Sequence, residues 1–452
     1  MEPSRKPHRT WALLGLLLPP LAGSAAAARM APTRGVSAVR AAKNPAEWHR
    51  ARRLAILEDV PSVKELVGTD QRTFPLLVAT NFAQFACAIA AGQHLPEVAL
   101  VPAALTVGAT VSLWSFALMH DVAHGTAALP AGVSRSDTLF ACSMPSVFGY
   151  FLYLRYGHLS HHKGFGREPL SRLFDSDQAT FEDGDALFVA HRQKLPGDEQ
   201  KIGFFGKDVG GLGISISRSF YALGWSDTRG WAHNAAVYTA GMAFERAALC
   251  VNDKVTAVIG RNLFFPSKPQ DFHATSVAHA RAQAMVHLVM FACAGPGALL
   301  WLYCAELGWQ LPFHPAFAMF VSNHPSLENS VGGMRADGEN GVAGCQPTAS
   351  IYLGGWYDWL CAFSNLHTEH HDFPDVPLLR LRELRDRAAA HYDQPLLADP
   401  NAGWLPIVKR SFERRGYYAC AGSMSDVLRA GEAAVLGKSE MEATGSATQL
   451  AS

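Results

Sequence analysis

Four stretches of the chain carry no Asp, Glu, Lys or Arg: residues 73–96, 98–119, 282–305 and 307–327. At about 1.5 Å per residue, 20 helical residues cover about 30 Å, the thickness of a bilayer's hydrocarbon core. Four such runs in one chain predict membrane-spanning helices rather than buried helices of a large soluble core. Only Glu97 separates the first two runs and only Glu306 the last two, so each pair reads as a helical hairpin. Pro312 and Pro315 interrupt the fourth run. The two connections hold no Lys or Arg. Arg50, Arg52, Arg53, Lys64 and Arg72 precede the first span, and segment 155–281 and the tail beyond 378 are basic in places. By the positive-inside rule, these larger segments face the cytosol or its equivalent and the connections face the other side.

Shorter patterns fill in the rest. Residues 138–154 are apolar but short, which predicts an interfacial or re-entrant helix. Trp356, Tyr357 and Trp359 give 350–366 the composition of a membrane interface. Segments 185–245 and 325–350 are rich in Gly, Asp and polar residues and read as loop insertions, and 421–452 as a mobile tail. Residues 1–45 form a targeting segment. A basic start (Arg5, Lys6, Arg9) precedes the apolar run 11–22 and small residues, as in a signal peptide. Arg29, Arg34, Arg40 and Lys43 follow without an acid, as in a transit peptide. Together these would suit import into a plastid enclosed by extra membranes.

Composition changes this picture in two respects. The chain of 452 residues has 39 basic and 39 acidic side chains, so it lacks the basic surface that nucleic-acid binding requires. The near-neutral mean hydropathy of +0.04 is an average over uncharged spans and polar segments. There are also 19 histidines, and they are clustered. His120 and His124 form HxxxH after the second run. His158, His161 and His162 form HxxHH soon afterwards. His367, His370 and His371 form a second HxxHH after the fourth run. Positions i, i+3 and i+4 share one helix face, so each cluster can aim its imidazoles at one point. All three fall on the same expected side of the membrane. Imidazole suits Fe, Zn, Cu and Ni. Eight such ligands are too many for one ion, so two metals are implied. No HExxH is present, because the first cluster reads HDVAH, so the usual zinc-protease motif is missing. His287 and His314, within runs, are read as structurally hydrogen-bonded, and His233, His273 and His279 as loop or surface residues.

These clusters resemble the histidine boxes of the membrane fatty-acid desaturase and hydroxylase superfamily, and most of all the sphingolipid Δ4-desaturases (dihydroceramide desaturases). The resemblance is carried by EHHDFPDVP (369–377), WHRARRLAILEDVPSVKELVGTD (48–70), LRYGHLSHH (154–162), DSDQATFEDG (175–184), RNLFFPSKP (261–269), HPAFAMFVSNH (314–324) and RAAAHYDQPL (387–396). It runs through most of 46–415, within a desaturase domain taken as 46–420. Asp121 and Gly125 stand where that family usually has Glu and Asn. Met319 and Asn323 replace its usual His and Glu, and Thr368 replaces an Asn.

The resemblance implies an all-α integral membrane protein of four spans in two hairpins. A cytosol-side helical cap would hold a histidine-rich di-iron site. It makes His324 a ninth ligand beside His120, His124, His158, His161, His162, His367, His370 and His371. Asp121, Asn323 and Glu369 are candidates for supporting those ligands, with a solvated acid as the alternative for the two carboxylates. No catalytic residue beyond the ligands is expected. The implied reaction is O₂-dependent desaturation of a long-chain lipid, introducing the Δ4 double bond into a dihydroceramide or sphingoid base. A fatty acyl-lipid desaturase, a sphingolipid C4-hydroxylase and a zinc-dependent membrane amidohydrolase are the alternatives. Electrons would come from cytochrome b5 in the endoplasmic reticulum or from ferredoxin in a plastid.

Overall fold

The computed structural model describes residues 45–147, 150–159, 162, 224, 226, 228–263, 269–323, 348–392 and 403–413. All lie in one compact unit, Pro32–Ser452. The expectations for the targeting segment, the tail and most of the two insertions therefore fall outside the described residues, as do His161 and His324. The described residues are mostly helical and contain no strand, only an isolated bridge between Asp70 and Ala127.

Helix α1 (Pro45–Asp59) leads to a 3₁₀ turn at Pro61–Leu66 and then to α2 (Thr73–His94). Leu95 and Pro96 are extended, which ends α2 and starts α3 (Glu97–His124) in a tight hairpin. Asn81 Nδ2 donates to Ser115 Oγ across it at 3.0 Å. Beside Pro102, which lacks an N–H, α3 widens to a π-helical turn at Ala104–Gly108. Helices α4 (Arg135–Cys142) and α5 (Tyr150–Leu152, continued by the π turn Tyr153–Gly157) follow, then α6 (Gly230–Ile259) and α7 (Gln270–Gly308). Helices α2, α3 and α7 are long and apolar enough to cross a membrane. Their outward faces carry large apolar side chains, among them Phe82, Val98, Val107, Met285 and Leu288.

Helix α7 is folded back on itself. Gln283 Nε2 donates to the Ser146 carbonyl at 2.6 Å, and the next peptide N–H, of Val147, donates to Glu306 Oε2 at 2.6 Å. An unbroken helix would separate Gln283 and Glu306 by about 34 Å. The break is at Gly295, whose φ of 72° and ψ of −173° are not helical, followed by Pro296. Only glycine adopts that backbone conformation readily. The new tip docks on the tip of the first hairpin: a Cβ on Gly92 would lie 2.7 Å from the Ala294 carbonyl oxygen and 2.6 Å from Ala298 N. The expected connection at Glu306 is thereby corrected. The second hairpin turns at Gly295, and Glu306 is buried at 1% exposure, in hydrogen-bond contact rather than at a solvated loop. The described residues of the expected fourth run beyond Gly308, 309–323, form turns and one short helix, α8 (Phe317–Ser322), because Pro312 and Pro315 interrupt helical bonding.

Three smaller readings also change. Residues 230–245 are the first half of α6, not loop. The described residues of segment 138–154 form two short helices, with turns at Ser143–Ser146 where the chain anchors on the second hairpin. His233, His273 and His279 are helical. His273 and His279 are buried, with His279 Nε2 2.7 Å from Ser143 Oγ and its ring stacked on Phe151. Spacing on a long amphipathic helix does not reveal which polar residues a neighbouring element will cover. His287 and His314 are hydrogen-bonded, to Lys254 Nζ at 2.9 Å and to Ala316 N at 3.2 Å.

The end of α3 opposite the tips is covered by α1, the 3₁₀ turn and the C-terminal segment. That segment holds α9 (Gly355–Leu360), α10 (His367–Asp372), α11 (Leu381–Arg387) and α12 (Ala389–Tyr392), while α13 (Trp404–Glu413) packs on α6 and α8. Ile56, Val63, Leu366, Phe373, Leu381 and Leu384 form a separate core there.

Candidate metal centre

Each histidine cluster is placed by a different local device. His120 and His124 end α3, one turn apart on one face, and Gly125 (φ 77°) stops the helix immediately after them. His158 follows the π turn at Tyr153–Gly157, with His162 one turn on. His370 and His371 sit on α10, a helix of six residues.

Tertiary packing brings these clusters to one point. His120, His124, His158, His162 and His370 each present a ring nitrogen, and these five atoms lie within 4.8 Å of one another. Their Nε2 atoms are 2.8 Å apart for His124 and His158, 3.2 Å for His158 and His162, and 3.1 Å for His162 and His370. Two nitrogens each about 2.1 Å from one ion are about 3.0 Å apart at a right angle and about 3.4 Å apart at a tetrahedral one. The observed edges fit a shared ion with near-right-angle donors. Five imidazoles also exceed the four positions of a tetrahedral zinc site. The cluster is compatible with a metal site.

His371 and His367 adjoin it. The His371 ring stacks on His162 with centroids 4.2 Å apart, and His367 lies 4.5 Å from His371. Asn323 ends α8; its Nδ2 donates to Met319 Sδ, and its Oδ1 is buried with no hydrogen-bond partner among the described residues.

Neither candidate carboxylate is solvated. Asp121, at 1% exposure, accepts from Leu378 N at 3.2 Å with both oxygens, tying the first histidine cluster to the chain beyond the third. Glu369 accepts from Ser350 Oγ and Tyr352 OH, both at 2.6 Å. Burial pushes its carboxyl above the ordinary range, against those two hydrogen bonds.

Sequence reasoning missed several neighbours. Tyr153 OH lies 2.8 Å from His158 Nδ1, the arrangement that orients a ligating imidazole. His49 on α1 lies against His371, and Arg52 holds Asp372. No spacing rule marks a residue that is hundreds of positions away, although Asp372 directly follows the third cluster. The Tyr153 ring meets His158 edge-on and continues into an aromatic wall of Phe116, Tyr150, Trp309 and Phe320.

Comparison with known proteins agrees with this geometry. The fatty acid desaturase family matches residues 96–398, about two thirds of the sequence. The chain belongs to the fatty acid desaturase family. By that membership it is an oxidoreductase, and the amidohydrolase reading is not favoured. One similar protein is a sphingolipid delta(4)-desaturase/C4-monooxygenase of Bos taurus, 24% identical over 363 residues, which cover 78% of this chain and 87% of that protein. Another is a sphingolipid delta(4)-desaturase of Candida albicans, 25% identical over 390 residues, which cover 82% and 88%. No solved structure matches the chain.

Proposed function

We propose that this desaturase-family chain introduces the Δ4 double bond into a dihydroceramide or sphingoid base, using O₂ and two iron ions. The carrying observation is the convergence of five imidazole nitrogens within 4.8 Å in a chain whose relatives are named for sphingolipid desaturation. His120, His124, His158, His162 and His370 would hold one iron. His161, His324, His367 and His371 would hold the other, with Asn323 beside them. Iron bound there would supply the O₂ chemistry that removes hydrogen from an unactivated methylene. The chain's own part is geometric. The imidazoles bind, Tyr153 orients His158, Asp121 and Glu369 hold the box segments together, and the aromatic wall keeps water from the reacting chain. The lipid tail would lie between the helices.

Helices α2, α3 and the first arm of α7 would span the membrane and the shorter second arm, which covers about 20 Å, would return part of the way, with the histidines in a cap on the cytosolic side. Electrons would come from cytochrome b5 in the endoplasmic reticulum, or from ferredoxin if residues 1–45 direct the chain to a plastid. A second reading, C4-hydroxylation, is favoured by the bovine relative, whose name couples both outcomes. Product mass separates them by one water, since desaturation removes two hydrogens from the substrate and hydroxylation adds an oxygen to it.

Expression in a host lacking its own Δ4-desaturase, followed by lipid mass spectrometry and metal analysis, tests the proposal. New Δ4-unsaturated long-chain bases, dependent on O₂ and lost in His370→Ala while the protein still accumulates, are the expected result. Zinc without iron, activity without O₂, or unsaturation only in acyl chains would overturn it.

A further inference from the structure

His49 lies on α1, outside the three histidine clusters, yet it is buried at 7% exposure against the third. Its ring centroid is 5.1 Å from that of His371, whose ring in turn stacks on that of His162. Both His49 nitrogens are engaged. Nδ1 is 2.7 Å from Asp372 Oδ1, and Nε2 is 3.3 Å from Thr348 Oγ1, which in turn donates to Thr368 Oγ1 at 3.2 Å. Asp372 is itself fixed. Arg52 Nε donates to its second oxygen at 2.9 Å, and the guanidinium is held over Trp48 and Tyr392 and bonded to the His391 carbonyl. His49 thus meets α10 at its start through Thr348, at its end through Asp372, and on the face of His371.

A helix of six residues with no side-chain cap has almost no intrinsic stability, so its orientation must come from outside. A ligating imidazole usually has its plane fixed by the hydrogen-bond partners behind it, and losing such a partner weakens metal binding 10- to 100-fold. We infer that His49 is a positioning residue of the metal centre, which sets the plane of His371 and the orientation of α10 without ligating metal. This rests on the metal reading above. A merely structural histidine would instead help to dock α1, and Arg53 isolates that role. Its guanidinium donates to both oxygens of Asp375 at 2.7 Å, joining the same two segments without touching His371.

The test uses the full-length chain in nanodiscs loaded with iron. Iron retained against a chelator series, and the Mössbauer spectrum, are compared for wild type, His49→Ala, His49→Asn, His49→Gln and Arg53→Gln. His49→Ala should lose iron about 10- to 100-fold more readily and show an altered second iron signal. His49→Asn, whose amide can donate from the Nδ1 position, should recover most of the difference. Arg53→Gln should stay within about twofold of wild type. Where His49→Ala fails to accumulate, His49→Gln takes its place, since its amide sits at the Nε2 position away from Asp372. Wild-type retention and spectrum in His49→Ala or His49→Gln, or an equal loss in Arg53→Gln, would overturn the assignment. A wild type that binds no iron would sink the metal reading and this inference with it, an outcome distinct from iron-replete variants.

Discussion

Gln283 and Glu306 grip the same peptide, and that contact can be measured. Changing Gln283 to Met removes its donation to the Ser146 carbonyl and its acceptance from Lys254 Nζ at nearly constant volume. Changing Glu306 to Met leaves the buried Val147 N–H unpaired and takes a carboxylate from beside Lys254. A neutral hydrogen bond contributes about 1 kcal/mol, and a buried donor left unpaired costs about 1–3 kcal/mol. The single variants should therefore lose about 1 and about 2 kcal/mol. The double variant carries the information. Once one anchor is gone, Ser146 and Val147 can shift and the other anchor is already weakened, so the two losses should overlap by about 1 kcal/mol. On a straight α7, about 34 Å apart, they would instead add to within about 0.5 kcal/mol. The assay is unfolding of the full chain in mixed micelles by an SDS titration, followed by tryptophan fluorescence, for the four members of the cycle. Additivity within about 0.5 kcal/mol would refute the fold-back at Gly295.

Two further outcomes follow from particular residues. Gly295→Ala should cost about 1–3 kcal/mol in the same titration through backbone strain alone, since an added Cβ meets nothing within 4 Å; an unchanged midpoint would count against the turn. Asp70 gives a pH dependence. Burial by itself would push its carboxyl up, but the hydrogen bonds and charge of Arg72, with Arg380, carry it below the usual carboxylate range. A lowered folded value means that this stabilisation is fully present above the unfolded value of about 3.9 and is lost as pH falls through the folded one. Asp70→Asn should therefore cost about 1–2 kcal/mol near pH 7, the exposure of Arg72 limiting the effect, with the gap closing only below about pH 4. A gap that stays constant down to pH 3 would rule this out.

The histidine clusters were legible as clusters because their signal is local. HxxxH and HxxHH spacing puts imidazoles on one helix face whatever lies elsewhere, and the absence of charge along α2 and α3 marks long apolar helices by composition alone. The turn at Gly295 was not legible, because the apolar run continues without a charge through Ala294, Gly295, Pro296 and Gly297. The lone acid at 306 looked like the natural end of a span. A carboxylate can stay buried when it accepts a peptide N–H beside a lysine, and that pairing is invisible until the chain folds.

Sequence alone determined the chemistry available here: long uncharged helices, three histidine clusters of fixed spacing, and the desaturase resemblance their context carries. The helices and the clusters rest on neighbours a few positions apart, and the resemblance on short motifs spread along the chain. The tertiary structure decided where the second hairpin turns, which five nitrogens meet, and which residues hold them, including His49, Arg52, Asp372 and Tyr153. Those contacts join α1, α3, α5 and α10, and no local pattern encodes which distant surfaces will pack together.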